Sequence, residues 1–223
     1  AGGGEQGTHE HAKVWVKKGH GVTVFTSFFK GAKRKEVIDG VRFVRRGYEL
    51  LEVQLTAFLW YSFKKHQKFD LVIDQFHGIP FFSPMYVRGK KLAVLQEVAK
   101  EVWLLNHLPF PFNYIVGTLG YFLEPLIYLF YKKVPFMVGS LSAKEDLIAF
   151  GIPADNVKIV HHGLRTNPTK ELTQKEKNKT VMYLGALTKD KGIEDAIKVF
   201  SILAKKNASY RFWVVGKGTG KYF

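Results

Sequence analysis

Val181-Met-Tyr-Leu-Gly-Ala-Leu-Thr-Lys-Asp-Lys-Gly-Ile-Glu-Asp-Ala-Ile197 is the stretch that decides the fold of this chain. It reads as a buried strand, a sharp turn at Gly185, and a helix whose first turn carries Lys191 and Gly192. A lysine there works against the helix macrodipole, at roughly a few tenths of a kcal/mol. A bound anion reverses that sign by pairing with the ammonium and the unpaired backbone N–H groups. Gly185, Lys191 and Gly192 are therefore candidate ligands of a phosphate or diphosphate, with Lys189 a weaker companion. An exposed lysine in a lysine-rich chain is the competing account. A second glycine run, Gly2-Gly-Gly-Glu5, opens another helix. Two glycine turns in separate α/β units predict a cleft between two domains. Gly3 and Gly4 either approach a phosphate or sugar there or are unremarkable chain-end residues.

Working outward, the periodicity predicts a helix over 5–18 and strands at 22–26 and 41–44. A helix over 51–66 follows, then strands at 69–74, 91–95, 134–139 and 157–160. Strands separated by helices at this spacing indicate a mainly parallel, doubly wound sheet. Ser142 with Glu145 reads as a capping box opening the helix that Gly151-Ile-Pro ends. From Arg165 to Asn178 the chain turns polar, as a linker does. Strand–helix–strand pattern restarts at Thr180 and runs to Val215. The expected division is an N-terminal domain over 1–165 and, over 166–223, a linker with part of a second domain. A glycine turn with no strand before it and a single β-α-β unit predict a fragment, lacking a first strand and most of the second domain.

The 223 residues are 46% hydrophobic and 15% aromatic, enough for a packed core. The formal charge of +15 admits nucleic acid, an anionic membrane surface or phosphorylated small molecules, and does not choose among them. The absence of cysteine excludes disulfides and thiol chemistry. A polar helix stands where a secretory leader would be. Gly216-Lys-Gly-Thr-Gly-Lys221 is not a P-loop, since Val215 and Tyr222 occupy its glycine and hydroxyl positions. Eight histidines form no metal set: His9 and His11 do not share a helix face, nor do His161 and His162 share a strand face. His77, beyond the strand ending at Asp74, lies at the carboxyl end of the sheet, where ligands collect. Trp103 begins an aromatic run reaching Tyr131 and the pair Lys132-Lys133. Such a run lies on an anionic bilayer, holds an apolar acceptor tail, packs on the sheet or forms a dimer contact.

Several segments taken in order resemble the retaining glycosyltransferase family 4 with its GT-B architecture of two Rossmann-like domains. They are Gly2-Gly-Gly-Glu through Lys18-Gly-His-Gly-Val-Thr-Val-Phe-Thr26, Gly139-Ser-Leu-Ser-Ala-Lys-Glu-Asp-Leu147, Val157-Lys-Ile-Val-His-His-Gly-Leu164, Tyr183-Leu-Gly-Ala-Leu-Thr-Lys-Asp-Lys-Gly192 and Phe212-Trp-Val-Val-Gly-Lys-Gly218. The resemblance implies transfer of a sugar, with retention, from a nucleotide diphosphate-sugar to a carbohydrate or lipid-linked acceptor. It implies no metal or other cofactor. Gly3, Gly4 and Lys191 match positions beside the donor diphosphate. Ala186 stands where the family commonly has arginine, and Gln96, followed by Glu97, stands where a first-domain histidine is common. Glutamine hydrogen-bonds a hydroxyl but is no base. Glu97 is either an acceptor contact or solvated. The paired glutamates of the family are not found, so no catalytic residue is assigned and the piece is expected to be inactive alone. Cytoplasmic placement is expected, with peripheral attachment to the cytoplasmic face of a membrane and room for oligomerisation. A basic nucleic-acid-binding module and a non-catalytic interaction protein of degenerate transferase fold remain the alternatives.

Overall fold

The computed structural model describes residues 3–48, 51–106, 108–163, 174 and 176–218. The chain packs as two compact units, Ala1–Leu164 and Arg165–Phe223. The polar segment 165–178 lies largely outside the described residues.

The first unit opens with α1 (Gly3–Lys17), followed by β1 (Thr23–Thr26), β2 (Lys35–Ile38) and β3 (Val41–Arg45). β3 pairs parallel to β1 and antiparallel to β2. The β2–β3 hairpin was not expected. Its cause is local: Asp39 and Gly40 both take positive φ, 51° and 79°, and bring Ile38 opposite Val41. Asp-Gly favours such a two-residue turn because glycine meets no Cβ penalty there. α2 (Leu51–Phe63) then leads to β4 (Leu71–Phe76), the short α3 (Ser83–Tyr86) and β5 (Lys90–Leu95). A 3₁₀ helix at Lys100–Leu105 precedes α4 (Phe112–Ile127). β6 (Phe136–Val138), α5 (Leu141–Ala149) and β7 (Val157–Ile159) complete the unit.

Two sheets result, ordered β1-β3-β2 and β4-β5-β6-β7, in place of the single doubly wound sheet expected. The second is wholly parallel. Among the described residues β1 and β4 share no ladder, so helix α1 and aromatic side chains join the sheets. On α1, His9 Nε2 lies 2.9 Å from Asp39 Oδ2, while Thr8 Oγ1 lies 2.6 Å from Gln75 Oε1 on β4. Phe25 of β1 packs on Trp60 of α2, which meets Phe69 before β4.

The core sits on the four-stranded sheet. Ala93, Leu95, Phe136, Val138 and Val157 face Tyr128, Tyr131, Leu147 and Ile152. Each large apolar side chain buried there contributes about 1.5–3 kcal/mol relative to exposure. Two carboxylates are buried with it. Asp74 accepts from the backbone N–H of Phe81 and Ser83 and from the Tyr131 hydroxyl at 2.6 Å. Glu124 accepts from the N–H of Ala99 and Lys100, both at 2.7 Å, and from Trp103 Nε1 at 3.1 Å. These bonds satisfy charges that would otherwise be costly to bury.

The start of α5 differs from the expected capping box. Ser140, in extended conformation, is the N-cap and accepts from Ala143 N at 3.2 Å, and Ser142 lies inside the helix. β6 ends at Val138, so the first serine after it already meets the helix.

The second unit holds β8 (Thr180–Leu184), α6 (Ile193–Lys206) and β9 (Arg211–Val215). β8 and β9 pair in parallel, and Phe200 of α6 stacks on Phe212 at 4.7 Å. β8 was expected to be buried. Within this unit Val181, Met182 and Leu184 are exposed, and the one helix described leaves the Met182–Leu184 face of the two strands uncovered.

Candidate functional site

The turn after β8 is built around a glycine and a tyrosine. The Tyr183 hydroxyl lies 2.8 Å from Ala186 O and 3.1 Å from Lys191 O, which ties the ends of the loop together. A Cβ on Gly216 would collide with the Gly185 carbonyl, so the loops after β8 and β9 cross backbone to backbone. Leu187 N donates to Lys217 O at 2.8 Å. Gly216 thus owes its place to this crossing, which the sequence reading did not foresee.

Lys191 does not sit in the first turn of α6. Residues Lys189–Lys191 form a 3₁₀ turn, and Gly192 at φ 74° breaks the helix before Ile193. The amides of Lys191 and Gly192 are spent within that turn, on Thr188 O and Lys189 O. What α6 does offer is an N-terminus with glycine at the N-cap and no side-chain cap. Glu194 and Asp195 occupy its first turn and complement the macrodipole. Lys191 is exposed with its Nζ 3.5 Å from Asp190 Oδ2. The Thr188 hydroxyl, the largest influence, and Lys191 hold the Asp190 carboxyl below its ordinary value. Gly185, Lys191 and Gly192 are therefore brought together at a strand–turn–helix junction, with Asp190 beside the lysine.

Gly3 and Gly4, expected in a turn before the helix, lie in the first turn of α1 itself, with Gly4 O 2.8 Å from the Thr8 hydroxyl. Three of the four acceptor-side candidates line the carboxyl end of the four-stranded sheet. His77 is exposed after β4, and Gln96 and Glu97 follow β5, with Glu97 exposed. Gln96 has a partner that the sequence did not disclose. His162 Nε2 lies 2.6 Å from Gln96 Oε1, and His161 Nδ1 lies 3.1 Å from Gly139 O. A Cβ on Gly139 would come within 2.6 Å of His162 Nε2, so that glycine makes room for the ring. The loops after β5, β6 and β7 meet at this point. Gly139 and the His-His-Gly run hint at it in the sequence, but adjacency in space needed the parallel order of the strands.

Trp103, an acceptor-side candidate, is half-buried, and its Nε1 donates to Glu124. Its ring lies over Gly120, where a Cβ would overlap it, and within 3.3 Å of a Cβ on Gly78. The rest of the aromatic run is divided. Phe112–Tyr131 is long and apolar enough to cross a bilayer, with mean hydropathy 1.2 and 22% of it buried. One side carries Glu124, Tyr128 and Tyr131 into the core. The other exposes Phe112, Ile115, Leu119, Phe122 and Leu126 to solvent, Phe122 by 69%.

A parallel α/β sheet with candidate ligand positions at its carboxyl edge, joined in the chain to a strand–turn–helix junction, has the Rossmann-like character of the GT-B fold. A profile described as Glycosyltransferase Family 4 matches residues 1–167, and one described as Glycosyl transferases group 1 matches residues 165–223. The chain belongs to this family of glycosyltransferases. No curated protein and no solved structure matches it.

Proposed function

We propose that this glycosyltransferase transfers a sugar from a nucleotide diphosphate-sugar with retention of configuration, the donor bound by the second unit and the acceptor by the first. The observation that carries the reading is the uncapped N-terminus of α6 beside Lys191. A departing diphosphate gathers charge, and an ammonium beside an uncapped helix N-terminus offsets it without a metal or other cofactor. Calorimetry with nucleoside diphosphates on the full-length protein tests this. Lys191→Ala weakens binding by about 1–3 kcal/mol if the contact is charge-assisted. Unchanged affinity rejects the assignment. Anomeric analysis of the product by NMR tests retention, and activity that persists in chelator tests the metal-free reading.

On the acceptor side, the reading is a carbohydrate carried on a lipid, reached at the cytoplasmic face of an anionic membrane. The exposed apolar side of α4, next to Lys132 and Lys133, supports it. Flotation with anionic vesicles should recover the protein at low salt, and Phe122→Glu should reduce recovery. A wholly soluble fraction at every salt concentration rejects the membrane placement.

A further inference from the structure

Tyr183 is the last residue but one of β8 and pairs with Val214, in the register that sets Val181 beside Phe212. Successive side chains along a strand alternate faces, so Tyr183 and Val181 share the side that α6 covers through the Phe200–Phe212 stack. From there the ring reaches past the carboxyl end of the strand. A Cβ on Gly185 would lie 3.4 Å from the Tyr183 hydroxyl and 3.6 Å from its Cζ, ordinary packing distances. The chain therefore turns directly over the tip of the ring.

The loop 185–191 is held in two halves. Its entry half is bonded to β9 and the loop beyond, Gly185 N donating to Val215 O at 3.0 Å and Leu187 N to Lys217 O at 2.8 Å. Its exit half is bonded within itself, Lys191 N to Thr188 O at 3.2 Å and Gly192 N to Lys189 O at 3.0 Å. The phenol ties that half to the strand. Its single proton is shared between Ala186 O at 2.8 Å and Lys191 O at 3.1 Å. The second carbonyl belongs to the residue just before the glycine N-cap of α6. Holding it restrains the planar peptide from which the helix departs, and so the placing of Lys191 against the helix end.

On the reading of the α6 junction as the donor diphosphate site, on which this rests, we propose that Tyr183 is a positioning residue for that diphosphate. It presets the loop so that Lys191 and the N-terminus of α6 face the same anion. Without the hydroxyl the exit half keeps its internal bonds but loses its tie to the strand. The anion must then order that half on binding, at a cost in affinity. The hydroxyl proton is spent on carbonyl oxygens, so its effect runs through Lys191.

The tie is read without a ligand, by amide hydrogen exchange of the full-length wild type and Tyr183→Phe. Exchange at Lys191 and Gly192 should quicken about 3–10-fold, as for loss of one neutral hydrogen bond, while the β8–β9 ladder keeps its rates. Unchanged exchange at those two amides overturns the proposal. So does quickening throughout the unit, which marks a general packing role. The consequence is read by calorimetry with UDP, GDP and ADP and with the matching monophosphates. Four full-length proteins are compared: wild type, Tyr183→Phe, Lys191→Ala and the double variant. Tyr183→Phe should weaken the nucleoside diphosphate about 3–10-fold and the monophosphate less than about twofold. That loss should nearly vanish in the Lys191→Ala background, because the two residues act as one unit. Equal losses for mono- and diphosphate, or the same loss with and without Lys191, overturn the proposal. Wild-type affinity in Lys191→Ala, or no nucleoside diphosphate bound by wild type, rejects the donor reading and the proposal with it. That failure is told apart by exchange that still quickens in Tyr183→Phe.

Discussion

His162 Nε2 and Gln96 Oε1 lie 2.6 Å apart, although sixty-six residues separate them in the chain. An amide oxygen only accepts, so Nε2 carries the proton and the Gln96 amino group is left turned away from the imidazole. In a sugar-transferring enzyme two fixed N–H donors at a sheet's carboxyl edge can read an acceptor hydroxyl.

Losing the His162 bond should loosen the amide without removing it. His162→Ala is expected to raise the acceptor KM about 3–10-fold with little change in kcat, the equivalent of one neutral hydrogen bond. His162→Gln, which also donates, should restore most of it.

Trp103 dictates glycine at position 120. Gly120→Ala should lower stability by about 1–3 kcal/mol through overpacking, read from the midpoint of urea unfolding. Gly7 in α1 is the counter-case, since a Cβ there meets nothing within 4 Å. Gly7→Ala should stabilise the protein by about 0.5–1 kcal/mol.

Glu124 holds three N–H donors that no other carboxylate reaches among the described residues. Glu124→Ala should cost about 3 kcal/mol or more by leaving them unpaired in the interior. Glu124→Gln keeps one acceptor oxygen and should cost less. Near-ultraviolet circular dichroism of Trp103 should change in both.

Alkaline pH should weaken the same core. Burial first, and then Glu124 at Tyr128 and Asp74 at Tyr131, push both hydroxyls above the ordinary value of 10.0. A raised folded-state value means that the stabilisation is complete below the unfolded value and is lost as pH rises past it. Unfolding midpoints should therefore be level from neutrality to about pH 10 and fall above it. Tyr131→Phe should lower stability at neutral pH, by losing the Asp74 bond, yet reduce the alkaline slope.

The sequence spelled out most elements because their signals are local. Apolar runs such as Leu92–Leu95 and Ile193–Lys206 carry their own period, and the Asp39-Gly40 turn was equally legible but passed over. What stayed hidden depended on distance in the chain. Nothing near Trp103 announces Gly120, and nothing near Gln96 announces His162. Lys191 shows the opposite failure: the pattern placed it in a helix, and one positive φ at Gly192 moved it outside.

The separation of β1-β3-β2 from β4-β5-β6-β7 bears on how the first unit comes apart. Cooperativity across a sheet is carried by shared backbone ladders, and here none is shared between the two sheets among the described residues. Each sheet should behave as its own opening unit, with α1 as the clasp. Native-state hydrogen exchange is expected to release the β1–β3 amides at lower denaturant than those of β5 and β6. Thr8→Ala, which removes the hydroxyl beside Gln75, should widen that gap without touching the slow group.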